Sequence, residues 1–155
     1  MSHSYLLGSA LLVAAVVALA TGCGEGGAAS GAAVAIYVAA PLCKEARQEL
    51  HRAGGEAGDL EVRAICLPSV AKSKGVSLAT AGSNARRATE DSTAVAYLES
   101  PGPAAKFTHS IVESAQIAWL TTASAAKPTH QILQSLKTRG SSSPRDAVRG
   151  TFTNG

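Results

Sequence analysis

The chain has 155 residues, of which 46% are hydrophobic and 4% are aromatic, and its formal net charge is +3. This length suits one domain of ordinary size and is too short for two. The basic residues are scattered, and no aromatic residues are interleaved with them for base stacking, so the composition argues against nucleic-acid binding.

The N-terminal segment is typical of an exported protein. Residues 5–22 contain no charged side chain and are followed by Cys23 and a stretch rich in Gly, Ala and Ser. This order favours a signal peptide (residues 1–22) and a flexible tether (residues 23–31); a plain membrane anchor is the alternative, because the initial MSHS lacks Lys and Arg. The residues LATGC resemble a bacterial lipobox, which implies that Cys23 carries diacylglycerol. Both alternatives predict an extracytoplasmic, membrane-attached protein.

From Ala32 onward the patterns of a strand and of a helix alternate. Residues 32–40 form a short apolar run rich in branched side chains, which predicts a strand buried on both faces. Residues 42–55 carry apolar side chains at helical spacing and end in two glycines, which predicts an amphipathic helix. Residues 60–67 have the composition of a second strand, which Pro68 ends.

The next part of the chain predicts a loop and a second helix. The loop spans residues 69–75, and the helix spans residues 76–91. Three alanines at helical spacing, Ala81, Ala85 and Ala88, make a narrow stripe of small side chains. Such a stripe lets a helix lie close to a sheet.

Two further strands are predicted at residues 93–99 and 117–122. Pro103 is well placed as the first residue of the helix between them, with Gly102 as its cap. The apolar face of that helix is predicted to consist of Ala104, Phe107, Ile111 and Ala115.

The C-terminal part predicts one more long helix and a tail. Pro128 begins the helix, which completes a folded lobe over residues 32–138. Residues 139–155 are expected to form a tail, with a linker, a short helical turn at residues 144–148 and a frayed end.

This alternation predicts a single three-layer α/β/α domain, in which helices cover both faces of a parallel sheet of about four strands. The expected strand order is 2-1-3-4. Ligands of such sheets bind outside the carboxyl ends of the strands, where the strand order reverses, which here lies between the first and third strands.

Polar residues follow the third and fourth strands at this edge. Ser100 and Gly102 come after the third strand, and Thr121, Thr122 and Ser124 come at the end of the fourth. Their hydroxyl and backbone N–H groups suit a small anion such as a carboxylate, so these five residues are the predicted ligand-binding site. The same residue types also cap helices and form turns, and that interpretation remains open at each position.

Two cysteines remain if Cys23 carries lipid. Cys43 follows the first predicted strand and Cys66 ends the second, which is its neighbour in the expected sheet. A structural disulfide in an oxidising compartment is one interpretation, and two free buried thiols are the other.

No catalytic or metal-binding motif is present. The sequence lacks G-x-S-x-G, GxxxxGK[ST], HExxH and CxxC. His109 and His130 are the histidines that could belong to a catalytic triad. Neither is a strong candidate, because nothing in the sequence holds a nucleophile at a strained turn. We therefore expect no enzymatic activity, no cofactor and no metal ion.

The ordered segments AIYVAAPL, AGGEAG, VRAICL and GSNARRATEDSTAVAYLESPGPAAKFTHSIVESAQIAWLTTASA resemble the first lobe of type I periplasmic binding proteins of the leucine or branched-chain amino-acid type. The resemblance covers residues 32–135. It implies the substrate-binding lipoprotein of an ABC transporter, with ligand contacts in residues 100–103 and 121–125. Family members close two lobes around a solute, whereas this chain has the length of one.

The predicted function is therefore a lipid-anchored, extracytoplasmic, solute-binding-type protein that acts as a single lobe, with an amino acid as the implied solute. Its expected partners are the membrane, a transporter permease, and a second lobe supplied by homodimerisation. The alternatives are a non-transport envelope interaction module that retains the lobe fold, and an inactive truncated remnant. An exposed apolar patch at the strand ends would favour the first two over the third.

Overall fold

The computed structural model describes residues 32–153, so the predicted signal peptide, the lipidation site Cys23 and the tether lie outside the described residues. The strands in this range are Ala33–Val38 (β1), Glu56–Ala57 (β2), Leu60–Cys66 (β3), Ala71–Lys72 (β4), Gly75–Val76 (β5), Ala94–Glu99 (β6) and Ala118–Thr121 (β7). The helices are Ala40–Arg52 (α1), Leu78–Thr89 (α2), Pro103–Ser114 (α3), Ala126–Lys137 (α4) and Pro144–Thr153 (α5).

The central sheet has the order β2-β3-β1-β6-β7. Its four longer strands are parallel to one another, and β2 pairs antiparallel with the start of β3. The predicted α/β/α class and the predicted order of the four main strands are confirmed. β1 and β6 are apolar along almost their whole length because helices cover both faces of the sheet.

Each face of the sheet has its own hydrophobic core. Helices α1, α4 and α5 cover one face, where Ile36, Val38 and Leu98 are fully buried. Helices α2 and α3 cover the other face, where the core contains Tyr37 and Tyr97. The predicted alanine stripe of α2 is confirmed, since all three of its members are fully buried: Ala81, Ala85 and Ala88.

Some local features differ from the expectations. The predicted loop at residues 69–75 contains a small antiparallel hairpin of β4 and β5. Helix α3 begins at Pro103 as expected, but its buried face includes Thr108 and Val112, whereas Phe107 is 42% exposed. The helix is turned in this way because Thr108 donates a hydrogen bond to the buried carboxylate of Glu99.

The C-terminal segment forms a complete helix, longer than the predicted turn. Val148 of α5 is fully buried in the core beneath α4. At the start of the helix, the guanidinium group of Arg145 donates hydrogen bonds to four carbonyl oxygens at the amino end of the sheet. The acceptors and donor–acceptor distances are Ala94 at 3.0 Å, Ser92 at 3.2 Å, Ala115 at 3.3 Å and Asp91 at 3.4 Å. Residues 144–153 are therefore part of the folded domain.

Cys43 and Cys66 are joined by a disulfide bond, with 5.5 Å between their Cα atoms. The bond connects the first turns of α1 to the last residue of β3. Of the two interpretations that the sequence leaves open, the structure has the disulfide.

Replacement of Arg145 tests how α5 is held. Arg145→Ala removes the only side chain that joins α5 to these four carbonyl groups within the described residues. We expect the free energy of unfolding in urea to fall by about 2 kcal/mol, because hydrogen bonds from a charged donor are lost. The exposed Arg47 on α1 provides the matched control, Arg47→Ala. Equal losses in both variants would show that the hydrogen bonds of Arg145 do not contribute to the free energy of unfolding.

Candidate functional site

The carboxyl ends of β1 and β6 meet at the point where the strand order reverses. The two strands stay bonded up to the loops, since the N–H of Ala39 donates to the carbonyl oxygen of Leu98 at 2.8 Å. The loops that leave this edge carry the predicted ligand residues. We call Ser100, Gly102, Thr121, Thr122 and Ser124 together the carboxyl-edge site.

All members of the carboxyl-edge site follow or end adjacent parallel strands, β6 and β7. The hydroxyl groups of Ser100 and Thr121 make no hydrogen bond to any described residue, and Thr121 is exposed while Ser100 is half-buried. Gly102 has a φ of 155°, a conformation that side chains disfavour, and it allows the chain to turn sharply into α3. Two hydroxyl groups are therefore free to bind a ligand here.

The other two hydroxyl residues serve the turn that precedes α4. Thr122 donates from its hydroxyl to the carbonyl oxygen of Ser124 at 2.7 Å and accepts from the N–H of Ser124 at 3.2 Å. The N–H of Thr122 donates to the carbonyl oxygen of Glu99 at 2.9 Å. At these positions, turn formation accounts for the residue types.

The N-terminus of α4 is capped by Glu45, a residue of α1. One carboxylate oxygen of Glu45 accepts from the Ser124 hydroxyl at 2.7 Å, and the other accepts from the N–H of Ala125, also at 2.7 Å. These hydrogen bonds, first that of Ser124 and then that of Ala125, lower the pKa of Glu45 below its ordinary value. A helix N-terminus favours an anion, and here the protein supplies its own. The cap also explains why α4 begins before Pro128.

A second carboxylate lies beneath the edge. Glu99 ends β6 and is only 5% exposed. Its Oε1 atom accepts from the indole N–H of Trp119 at 2.7 Å and from the hydroxyl of Thr108. Because a buried carboxylate needs hydrogen-bond donors, Glu99 holds β6, β7 and α3 together. The sequence predicts no role for Glu99, whose only signal is that of an acid that ends an apolar strand directly before a loop.

An aromatic row crosses the sheet beside Glu99. Tyr37, Tyr97 and Trp119 occupy the same register position on β1, β6 and β7. Burial and the hydrogen bond to Asp91 raise the pKa of Tyr37 to about 12, and burial also raises the pKa of Tyr97. Tyr97 is buried in the core, whereas Trp119 is half-buried and its ring contacts that of His109, with 4.3 Å between the ring centroids.

Comparison of the chain with protein-family models, curated proteins and solved structures gives no match. Among residues 32–153, no helix is both long and apolar enough to cross a bilayer. The same range has no group of three or more His, Cys, Asp or Glu side chains placed to hold a metal ion. The resemblance to a periplasmic binding-protein lobe accordingly stays a prediction.

Substitution of Glu99 tests its role as the acceptor that joins three elements. Glu99→Ala removes the acceptor of the half-buried Trp119 N–H and leaves the buried Thr108 hydroxyl with only the carbonyl oxygen of Ala105, so we expect the free energy of unfolding to fall by about 2 kcal/mol. Glu99→Gln keeps an acceptor oxygen and should lose less. Urea unfolding monitored by the fluorescence of Trp119, the single tryptophan, measures both. A loss in Glu99→Ala no greater than in the surface variant Glu56→Ala would contradict this role.

The Glu45 cap predicts a pH-dependent stability. Because the pKa of Glu45 is lowered in the folded state, its carboxylate stabilises the fold above the ordinary value of 4.5, and that contribution is lost as the pH falls through the lowered pKa. The urea midpoint of Glu45→Ala should lie below that of the wild type at pH 7, and the difference should shrink in acid. The exposed Glu56→Ala is the control; a difference for Glu45→Ala that is constant with pH would disprove the cap.

Proposed function

We propose that the chain is a lipid-anchored, extracytoplasmic, solute-binding-type protein of an ABC transporter, and that the carboxyl-edge site binds a small polar solute such as an amino acid. The observation that carries the proposal is the pair of unbonded hydroxyl groups, Ser100 and Thr121, beside the reversal of strand order. Open parallel sheets bind their ligands at this place. The resemblance of residues 32–135 to a binding-protein lobe supports the same function.

The chemistry of the edge favours a particular orientation of the solute. Glu45 already occupies the N-terminus of α4, and Pro101 and Pro103 remove backbone donors from the loop after β6. The free hydroxyl oxygens are acceptors for an ammonium group. We therefore propose that the amino group of an amino acid faces this lobe and that its carboxylate faces a second lobe, which encloses the rest of the solute.

The alternative function is an envelope interaction module, and an exposed apolar patch favours it. Leu78, at the start of α2, is 49% exposed, and Phe107, in the first turns of α3, is 42% exposed. The ring of Phe107 lies against Gly82, one turn beyond Leu78, where an added β-carbon would come within 3.1 Å of the ring. An exposed apolar patch supports either binding function over an inactive remnant.

The solute proposal is tested by native mass spectrometry and calorimetry of the full-length protein with a mixture of amino acids. We expect the Ser100→Ala, Thr121→Ala double variant to bind at least about tenfold more weakly than the wild type, because two hydrogen bonds to the ligand are lost. Ser83→Ala, which removes an exposed hydroxyl from α2, is the matched control and should bind like the wild type.

Two results would overturn the solute proposal. One is a wild-type protein that binds no amino acid up to about 1 mM, the weak end of specific affinity. The other is equal binding by the wild type and the double variant. In either case, loss of transporter or envelope-protein association in Phe107→Ser, but not in Ser83→Ala, would support the interaction module.

A further inference from the structure

The outer edge of β7 is open. β7 bonds to β6 on one side, and no described strand lies on its other side. The N–H of Thr122 points toward β6, where it bonds to Glu99. Because successive N–H groups along a strand point to opposite sides, the N–H groups of Trp119 and Thr121 point outward, away from the sheet. β7 therefore presents a row of unpaired backbone groups.

The opposite side of the sheet is protected in ways that β7 is not. There, β2 covers the start of β3, and the exposed Glu61 and Arg63 form an ion pair with an N–O distance of 3.4 Å. β7 has the sequence AWLT, with neither a charged residue nor a proline. Charges and short covering strands are the usual means by which proteins prevent edge pairing, so β7 is the edge of this sheet that remains able to pair.

A cleft of about 220 Å³ runs beside this edge. Its lining includes Ile117 and Trp119 of the β7 region, His109 and Glu113 of α3, and Arg149 and Phe152 of α5. An added strand would therefore find backbone partners at the edge and open space beside it.

The charges of α3 indicate what the partner is. Lys106, His109 and Glu113 are spaced three and four residues apart, which places them along one side of the helix. His109, the middle residue of this stripe, contacts Trp119, so the middle of the stripe lies beside β7. The stripe is positive at one end and negative at the other, and His109 lies 3.5 Å from Glu113. Such a stripe is complementary to its own reversed copy.

We propose that β7 pairs antiparallel with β7 of a second copy of this chain, so that the two sheets become continuous. The two-fold axis of such a pair is perpendicular to the sheet, and it reverses α3 together with β7. Lys106 of each copy then lies opposite Glu113 of the other. Attraction between these charges adds to the backbone hydrogen bonds at the edge.

This dimer is independent of solute binding. The same two-fold axis directs the carboxyl edges of the two copies in opposite directions, so each carboxyl-edge site stays open and is not completed by the second copy. Failure of the dimer and failure of the solute proposal would therefore be seen in different measurements.

Charge reversal tests the pairing by sedimentation velocity of the full-length protein over a concentration series. Lys106→Glu gives a stripe with two acids, and Glu113→Lys gives one with two lysines, so each variant alone should dimerise at least about tenfold more weakly than the wild type. A one-to-one mixture of the two variants should dimerise again, because each stripe then faces its complement. Lys127→Glu on α4 makes the same change in charge elsewhere and should dimerise like the wild type.

Hydrogen exchange locates the interface. In the dimer, the outward amides of the β7 edge, Trp119 and Thr121, should exchange more slowly than in the monomeric variants. The proposal is overturned by a wild type that stays monomeric at about 100 µM, a weak affinity for a protein pair. It is also overturned by variants that dimerise unchanged, by a mixture that fails to dimerise, or by a dimer in which these amides gain no protection.

Discussion

The parallel pairing of β1 with β6 at the centre of the sheet is the constraint from which the rest of the structure follows. Both strands are buried on both faces, so their side chains are apolar whichever way they point. The chain leaves β1 toward β3 on one side and leaves β6 toward β7 on the other. This divergence opens the edge beside Ser100, and the parallel pairing of β6 with β7 brings Thr121 to the same edge.

The two carboxylates at this edge, Glu45 and Glu99, both have structural roles. Glu45 fills the N-terminus of α4, and Glu99 gathers donors from α3 and β7. Both acids are bonded within the protein, whereas the hydroxyls of Ser100 and Thr121 make no hydrogen bond to a described residue. In the orientation proposed for the solute, these hydroxyls accept from its ammonium group, since the N-terminus of α4 is already capped and attracts a second anion poorly.

The solute proposal and the β7 pairing place different demands on one small domain. A solute needs a second surface over the carboxyl edge, because an open lobe leaves much of a small ligand in water. The β7 edge needs a partner for a different reason: its outward backbone groups pair with no described strand, and the strand itself carries no charged residue. The exposed side chains of Leu78 and Phe107 form a third surface, on the helices α2 and α3.

The sequence alone determined the four main strands and their order, the helices α1 to α4, and the edge at which the polar loops meet, because those features depend on the period of buried side chains and on the handedness of crossovers. Only the tertiary structure decided that Glu45 caps a helix 80 residues away, that Arg145 anchors α5, that Cys43 bonds to Cys66, and that Thr108 turns inward in place of Phe107. Each of these depends on which groups distant in sequence come within a few ångströms. Local periodicity carries no record of such distances, since a glutamate on a helix surface has the same neighbours in sequence whether or not another helix begins beside it.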